Sequence, residues 1–382
     1  MGKNLLTWPQ AKESVWLRPT RFAPWQVSTY DRLCRRLRFE SPRFWLPSSG
    51  TGAFRQVKLV GLTSEAILAG AEAANRFLQS HSRDVWSLEI PTYHIGGLAI
   101  LARAHLSGAK VIAPSKAKWQ AKEFVRRVKG NRVTLTSLVP TQVYDLVTEQ
   151  IEAPPGLRAV LVGGGALDAH LYSEARRLGW SVLPTFGMTE CASQVATAPL
   201  SSLGGIEFPR LELLAHIDAK MVDGRLWLKS PSLADRIAIG NSDGEMTLED
   251  PRRNGWLASE DMAELLGRNL KPLGRLGDVV KVKGVLVSTL QIEAELLAIL
   301  RKSQFDGRVA VLSVASERDG TRFVAVFEDS SPLGLVDRAL LRYNKGVSGL
   351  HRITSWCWIP ELPLTELGKV QRMSVKKELG FT

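Results

Sequence analysis

Cysteine is scarce: the chain has three, Cys34, Cys191 and Cys357, all far apart. That spacing excludes a disulfide framework and a four-thiolate metal site, and it suits a reducing compartment. No run of eighteen apolar residues occurs anywhere, and residues 1–10 lack the apolar core of a secretory signal. The expectation is a cytoplasmic protein without stable membrane insertion. Internal repeats and low-complexity segments are absent, so a compact chain is expected rather than a string of modules. Aromatic and basic residues are not interleaved as in a groove that tracks a nucleic-acid strand, so no nucleic-acid partner is expected.

What the chain does have is length, apolar content and positive charge. At 382 residues and 45% hydrophobic composition it can bury one large core and a smaller one, which points to two domains. A formal net charge of +12 favours anionic partners, phosphorylated metabolites among them. The basic residues are dispersed apart from one cluster, Arg32, Arg35, Arg36 and Arg38.

Residues 1–44 are rich in Trp, Arg and Pro and weakly periodic, apart from a short amphipathic stretch over 30–39, so a partly helical opening is expected. From there the pattern sharpens. A strand end at 44–46 leads into a small, polar loop over 47–53, and Thr63 opens a helix over 66–78. Strands are then expected at 85–90, 110–112, 134–138, 157–162 and 181–184. Helices alternate with them at 96–106, 117–129, from Pro140, and from 166 to about 178. Strand, loop and helix in this succession are the sequence form of a mostly parallel layered sheet. Past residue 204, Asp223-Gly224, Asp243-Gly244 and Asn254-Gly255 mark hairpins. The end of the chain offers helices at 289–300 and 332–342 with strands at 308–315 and 322–327. The expected class is α/β: a large layered α/β N-terminal domain with a β-rich subdomain over 1–275, and a small, mobile α+β C-terminal domain over 276–382.

Several small polar islands carry possible chemistry. Ser48, Ser49, Gly50, Thr51 and Gly52 could surround a phosphate with backbone N–H groups and hydroxyls, although such a cluster is as often an ordinary loop. Arg55 and Lys58 follow it, but without the Gly-Lys-Ser/Thr spacing that opens a helix in mononucleotide-binding ATPases. Gly163, Gly164 and Gly165 after an apolar strand would let a flat molecule approach the backbone, or would make a tight turn. Phe186, Gly187, Met188, Thr189 and Glu190 combine an aromatic face, a hydroxyl and a carboxylate, a set able to stack a base, touch a phosphate and hold Mg²⁺. Glu260-Asp261, Gly274-Arg275 and Gly368-Lys369, taken singly, read as solvated turns. His94 sits at a strand end beside two glycines; a lone histidine there is more often structural than functional, and no Cys or His neighbours suggest a metal cluster.

Taken in order, these islands resemble the adenylate-forming superfamily of acyl-CoA synthetases, luciferases and peptide-synthetase adenylation domains, over about residues 47–372. The resemblance implies a phosphate loop at Ser48–Gly52, in which the usual second hydroxyl residue and closing Pro-Lys are absent or displaced. It implies an adenine-side segment at Gly163–Gly165, Phe186 stacked on adenine, Gly187 and Met188 beside the nucleotide, Thr189 near the α-phosphate and Glu190 on Mg²⁺. It further implies Asp261 and Arg275 at the ribose, a hinge at Gly277 and Asp278, and Lys369 as the catalytic lysine. ATP and Mg²⁺ are the implied cofactors, with coenzyme A as co-substrate.

Within the superfamily, the segments 91–97, 136–142 and 187–193 are similar to the o-succinylbenzoate-CoA ligases. That likeness implies a small aromatic carboxylic acid as partner, with His94, Thr141, Gln142 and Ser193 around it. No cation for such an acid's second carboxylate stands out in the sequence. Another small aromatic acid, or a nucleotide- or CoA-binding homologue without turnover, stays open as the alternative.

Overall fold

The computed structural model describes residues 8, 13–19, 22–48, 56–114, 119–282, 285–303, 305, 307–316, 320–328, 333–364 and 370–381. The chain forms two compact units. The first comprises Met1–Lys220, Trp227–Ala258 and Leu265–Leu270; the second comprises Met221–Leu226, Ser259–Glu264 and Lys271–Thr382.

At the centre of the first unit, five parallel strands lie in the order Lys110–Ile112, Val85–Ser87, Leu135–Leu138, Ala159–Val162 and Val182–Met188. Ser193–Thr197 then pairs antiparallel with the last of them. Leu135–Leu138 and Ala159–Val162 are buried at every position, as expected of strands covered on both faces. Helices Ala121–Gly130, Pro140–Thr148 and Ala169–Arg177 share one core with them, built on Phe124, Leu138, Val160, Tyr172, Trp180 and Val182. Pro140 opens its helix from the first turn, where its missing N–H costs no hydrogen bond.

The strands are tied together at their N-terminal ends by a buried carboxylate. Asp84, whose side chain is wholly buried, accepts from Arg158 Nε and Nη2 at 3.0 and 2.8 Å, Thr134 Oγ1 at 2.7 Å and the His81 N–H at 2.9 Å. Burial opposes its ionisation. Arg158, the His81 N–H and Thr134 outweigh that effect and hold the Asp84 pKa at about 2.

The same unit carries a second sheet in the order Val15–Trp16, Phe44–Pro47, Gln56–Leu62, Arg236–Asn241 and Met246–Glu249. Helix Ser64–Leu78, capped by the Thr63 hydroxyl, and helix Ile95–Ser107 pack on it through Ile67, Ala71, Leu98 and Ala102. Helix Pro24–Leu37 adds Tyr30, Leu33 and Leu37 against Trp45, Leu59 and Ala238.

The second unit holds the hairpin Val279–Val282 with Val285–Ser288 and the three-stranded sheet Val309–Ser316, Gly320–Glu328 and Ile353–Ile359. Helices Thr289–Arg301 and Leu333–Gly346 pack on that sheet through Ile292, Leu296, Val336 and Leu340. A large mixed α/β portion and a smaller α+β portion are therefore both present.

One expectation about elements becomes definite and two need correction. The partly helical opening is a fourteen-residue helix, Pro24–Leu37, whose apolar positions meet a core that only the folded sheet supplies. Gln56–Leu62 and Ile353–Ile359 are strands that sequence periodicity does not reveal. The strand expected to end at Pro184 continues to Met188, so Phe186 and Gly187 lie within it. Among the described residues no helix is long and apolar enough to cross a membrane.

Candidate active site

Because the five central strands are parallel, their carboxyl ends lie along one edge of the sheet. At that edge emerge the segment leading to His94, the start of helix Pro140–Thr148, Gly163–Gly165, and Phe186–Glu190. Crevices at such edges are the usual ligand sites of parallel sheets. The segments are in close contact there: a Cβ on Gly165 would lie 3.5 Å from Pro140 Cγ, and one on Gly163 would lie 2.9 Å from Thr185 Cγ2. Gly164 has φ +78°, a conformation that side-chain-bearing residues rarely adopt.

The Phe186–Glu190 segment is a tight hairpin arm. Gly187 pairs with Gln194 and Met188 with Ser193, after a register shift between Phe186 and Gly187. A Cβ on Gly187 would lie 1.9 Å from the Ser193 carbonyl oxygen, so only glycine fits. Thr189–Cys191 then makes one 3₁₀ turn, followed by Ala192 at φ +48° and Ser193 at φ +101°. Two consecutive non-glycine residues in the left-handed region are strained, and such strain concentrates where a site demands a particular backbone path. Phe186 is half-buried, leaving part of its ring accessible.

Glu190 is oriented from two sides. Lys58, on strand Gln56–Leu62, donates to Glu190 Oε1 at 2.7 Å, with side-chain exposures of 25% and 18%. The Ala234 N–H donates to the Glu190 carbonyl at 2.8 Å. The Ser48 N–H donates to the Lys58 carbonyl at 3.0 Å, which brings the first residue of the Ser-Gly loop beside this pair. Ser49, Gly50, Thr51 and Gly52 lie outside the described residues.

Beneath the turn, Ser232 Oγ stands 3.3 Å from Cys191 Sγ and 3.1 Å from His216 Nε2. Burial pushes the Cys191 thiol up to about 12 and His216 down to about 4, so both stay neutral at physiological pH. The pair is a buried prop, not a nucleophile and base.

His94 is the N-cap residue of helix Ile95–Ser107, with its ring centroid 4.8 Å from that of Tyr93. The turn is compressed, since a Cβ on Gly97 would sit 2.3 Å from the Ile90 carbonyl oxygen. Thr141 is exposed and Ser193 half-buried. Gln142 is buried, and its Oε1 accepts from the Val139 N–H at 2.9 Å. Its carboxamide oxygen therefore serves the helix start, and only its NH₂ group remains to meet a ligand.

Helix Ile95–Ser107 also holds a residue that sequence reasoning missed. Arg103 is 2% exposed and has no acidic partner among the described residues. Its guanidinium lies 5.6 Å from the centroid of the Trp86 ring, and burial alone drives its pKa down to about 10. A signal was available: Arg103 is the one charge in the apolar run Gly97 to Ala104.

The second unit brings together another part of the expected set. Arg275 approaches Glu260 Oε2 at 3.6 Å and Asp261 Oδ1 at 4.0 Å, and the Asp261 N–H donates to Ser259 Oγ. Gly277 is exposed, with nothing within 4 Å of the place a Cβ would take, and it lies inside this unit together with Asp278. The Asp278 carbonyl accepts from the Thr289 N–H and hydroxyl, and its carboxylate stands 3.7 Å from Arg372 Nε. Burial works against the charge on Arg372, yet Glu293 and Asp278 together hold its pKa above the ordinary arginine value. Lys369 lies outside the described residues; the residues flanking that stretch, Leu364 and Val370, form an antiparallel bridge.

Residues 19–235, more than half of the 382, match the AMP-binding enzyme family. The chain belongs to that family. Among its relatives, the 2-succinylbenzoate–CoA ligase of Bacillus licheniformis is 29% identical over 241 residues, covering 60% of this chain and 49% of the relative. The Escherichia coli 2-succinylbenzoate–CoA ligase is 28% identical over 266 residues, covering 70% and 54%. The chain thus spans about half the length of these relatives. Among solved structures, o-succinylbenzoate CoA synthetase from Bacillus subtilis with its acyl-adenylate intermediate superposes with a TM-score of 0.72 at 22% identity, covering 87% of this chain and 68% of that one. The same enzyme with ATP and magnesium ion gives 0.71 at 21%, covering 90% and 74%. At these identities the likeness establishes the AMP-binding fold.

Proposed function

We propose that this AMP-binding family member is an AMP-forming acid–CoA ligase acting on a small aromatic acid, with o-succinylbenzoate as substrate. The observation that carries the reading is the Phe186–Glu190 hairpin arm, held beside Gly163–Gly165 at the carboxyl edge of the parallel sheet, with Glu190 fixed by Lys58. The names of the relatives support the choice of acid.

In the first half-reaction a carboxylate oxygen of the acid attacks the α-phosphorus of ATP, the α–β phosphoanhydride bond breaks, and pyrophosphate leaves. Phe186 stacks on the adenine, the glycine segment accepts its flat edge, and Thr189 meets the α-phosphate. Asp261 and Arg275 hold the ribose, and Lys369 offsets charge on the phosphate oxygens. The described residues contain no cluster of three metal-binding side chains. Glu190, with Oε1 engaged by Lys58 and Oε2 left over, fits Mg²⁺ carried in on the phosphates, which would supply charge neutralisation there.

In the second half-reaction the CoA thiolate attacks the acyl carbon, the bond to the phosphate oxygen breaks, and AMP leaves. A lid over 276–382 turning at Gly277 and Asp278 would withdraw Lys369 between the two steps, with His94 bordering the acyl and thiol sites. We place the enzyme in the cytoplasm.

Arg103 is not part of this pocket: it is buried over Trp86, on the strand that follows Asp84, away from the carboxyl edge. Thr141, the Gln142 NH₂ group and Ser193 can supply hydrogen bonds to the acid. The test is an AMP-release assay with o-succinylbenzoate, benzoate and octanoate. The expected outcome is a kcat/KM for o-succinylbenzoate at least about tenfold above either simple acid. Comparable turnover of a simple acid refutes the substrate, and ATP binding without turnover of any acid refutes the ligase activity.

A further inference from the structure

The arginine cluster of the opening helix takes no part in the site described above. Helix Pro24–Leu37 commits its apolar face to the core through Tyr30, Leu33 and Leu37. Arg35 and Arg36 in its last turn, and Arg38 just beyond it, are exposed. These three have no acidic partner among the described residues, because the neighbouring acids are already taken: Asp31 faces Arg18 at 3.6 Å and Glu40 faces Arg236 at 3.6 Å. The fourth arginine, Arg32, is tied to the carbonyls of Asn241 and Ser242. Directly after the cluster comes Phe39, 81% exposed, with the Arg38 guanidinium 4.5 Å from its ring centroid.

A single exposed aromatic ring is unremarkable on a protein surface. One stacked with Arg38, in the turn directly after a helix whose last turn carries two more uncompensated arginines, has the composition of an interfacial anchor: long-range attraction to negative headgroups and a ring that settles at the headgroup level. A nucleic-acid strand is the poorer fit, since it would want successive aromatic platforms and this corner offers one ring. We infer that the corner formed by Arg35, Arg36, Arg38 and Phe39 docks this protein peripherally on an anionic phospholipid surface. The contact needs no spanning helix. It rests on charge complementarity and one shallowly placed ring.

The experiment is co-sedimentation of the full chain with vesicles of phosphatidylcholine alone and of phosphatidylcholine with phosphatidylglycerol, at low and high salt. Binding is expected only to the phosphatidylglycerol vesicles at low salt. Each arginine should contribute about fivefold in affinity, so Arg35→Glu/Arg36→Glu/Arg38→Glu should lose roughly a hundredfold or more. Phe39→Ala should lose several-fold and leave the salt dependence unchanged. A charge-matched control, Lys110→Glu/Lys122→Glu/Lys129→Glu, changes exposed lysines elsewhere and should retain most of the binding. Thermal melting checks that each variant is folded. Equal loss in the control, equal binding to neutral vesicles, or retention on heparin without vesicle binding each overturns the inference.

Discussion

Replacing Asp84 by asparagine tests whether the N-terminal ends of the parallel strands are held by charge. The carboxylate is wholly buried and accepts four hydrogen bonds, two of them from Arg158, which is itself 31% exposed. Asparagine keeps the shape and can still accept from Thr134 or the His81 N–H, but it cannot serve as a bidentate partner for the guanidinium. A pKa held at about 2 against 3.8 in the unfolded chain amounts to roughly 2 kcal/mol of stability near neutrality. The sign follows from the depressed value. The contribution is complete above the unfolded pKa, falls to about half near pH 3, and disappears as pH drops through about 2.

Asp84→Asn should therefore melt about 4–8 °C below the wild type at pH 7, taking about 2–4 °C per kcal/mol for a unit of this size. Denaturation followed by circular dichroism from pH 7 to pH 3 should show the two proteins converging. A gap that is equally wide at both ends of that range refutes the electrostatic account. So does the absence of a gap at pH 7.

Gly187→Ala would place a methyl group 1.9 Å from the Ser193 carbonyl, so the hairpin must open; adenylate formation should fall at least about a hundredfold, read by pyrophosphate release, with other folded signals retained. Lys369→Ala should slow adenylate formation at least about a hundredfold while sparing thioester formation from preformed adenylate; equal loss in both half-reactions refutes a one-step role. Arg103→Met should leave thermal stability equal or higher, because an unpartnered buried charge is removed. A melting temperature several degrees below the wild type would refute that account of Arg103.

Much of this protein is written in local sequence. Period and caps place helices Ser64–Leu78, Ile95–Ser107 and Thr289–Arg301, because Thr63, the leucines and the alanines act within one or two turns of each other. The turns at Asp223-Gly224 and Asn254-Gly255 follow from residues that tolerate positive φ, and both pairs adopt it. The Phe186–Glu190 and Gly163–Gly165 segments are legible because each concentrates unusual residue types in a few positions.

Other features depend on partners distant in sequence, and only the tertiary structure decides them. Gln56–Leu62 is a strand because Phe44–Pro47 and Arg236–Asn241 flank it, the latter about 180 residues away. The same pairing delivers Lys58 to Glu190, 132 residues on, which no spacing rule predicts. Gln142 reads in the sequence as a free donor and acceptor, but the local geometry of its helix start claims its oxygen. Arg103 reads as one basic residue among many until packing removes its water, supplies no acid among the described residues and leaves the Trp86 ring as its neighbour.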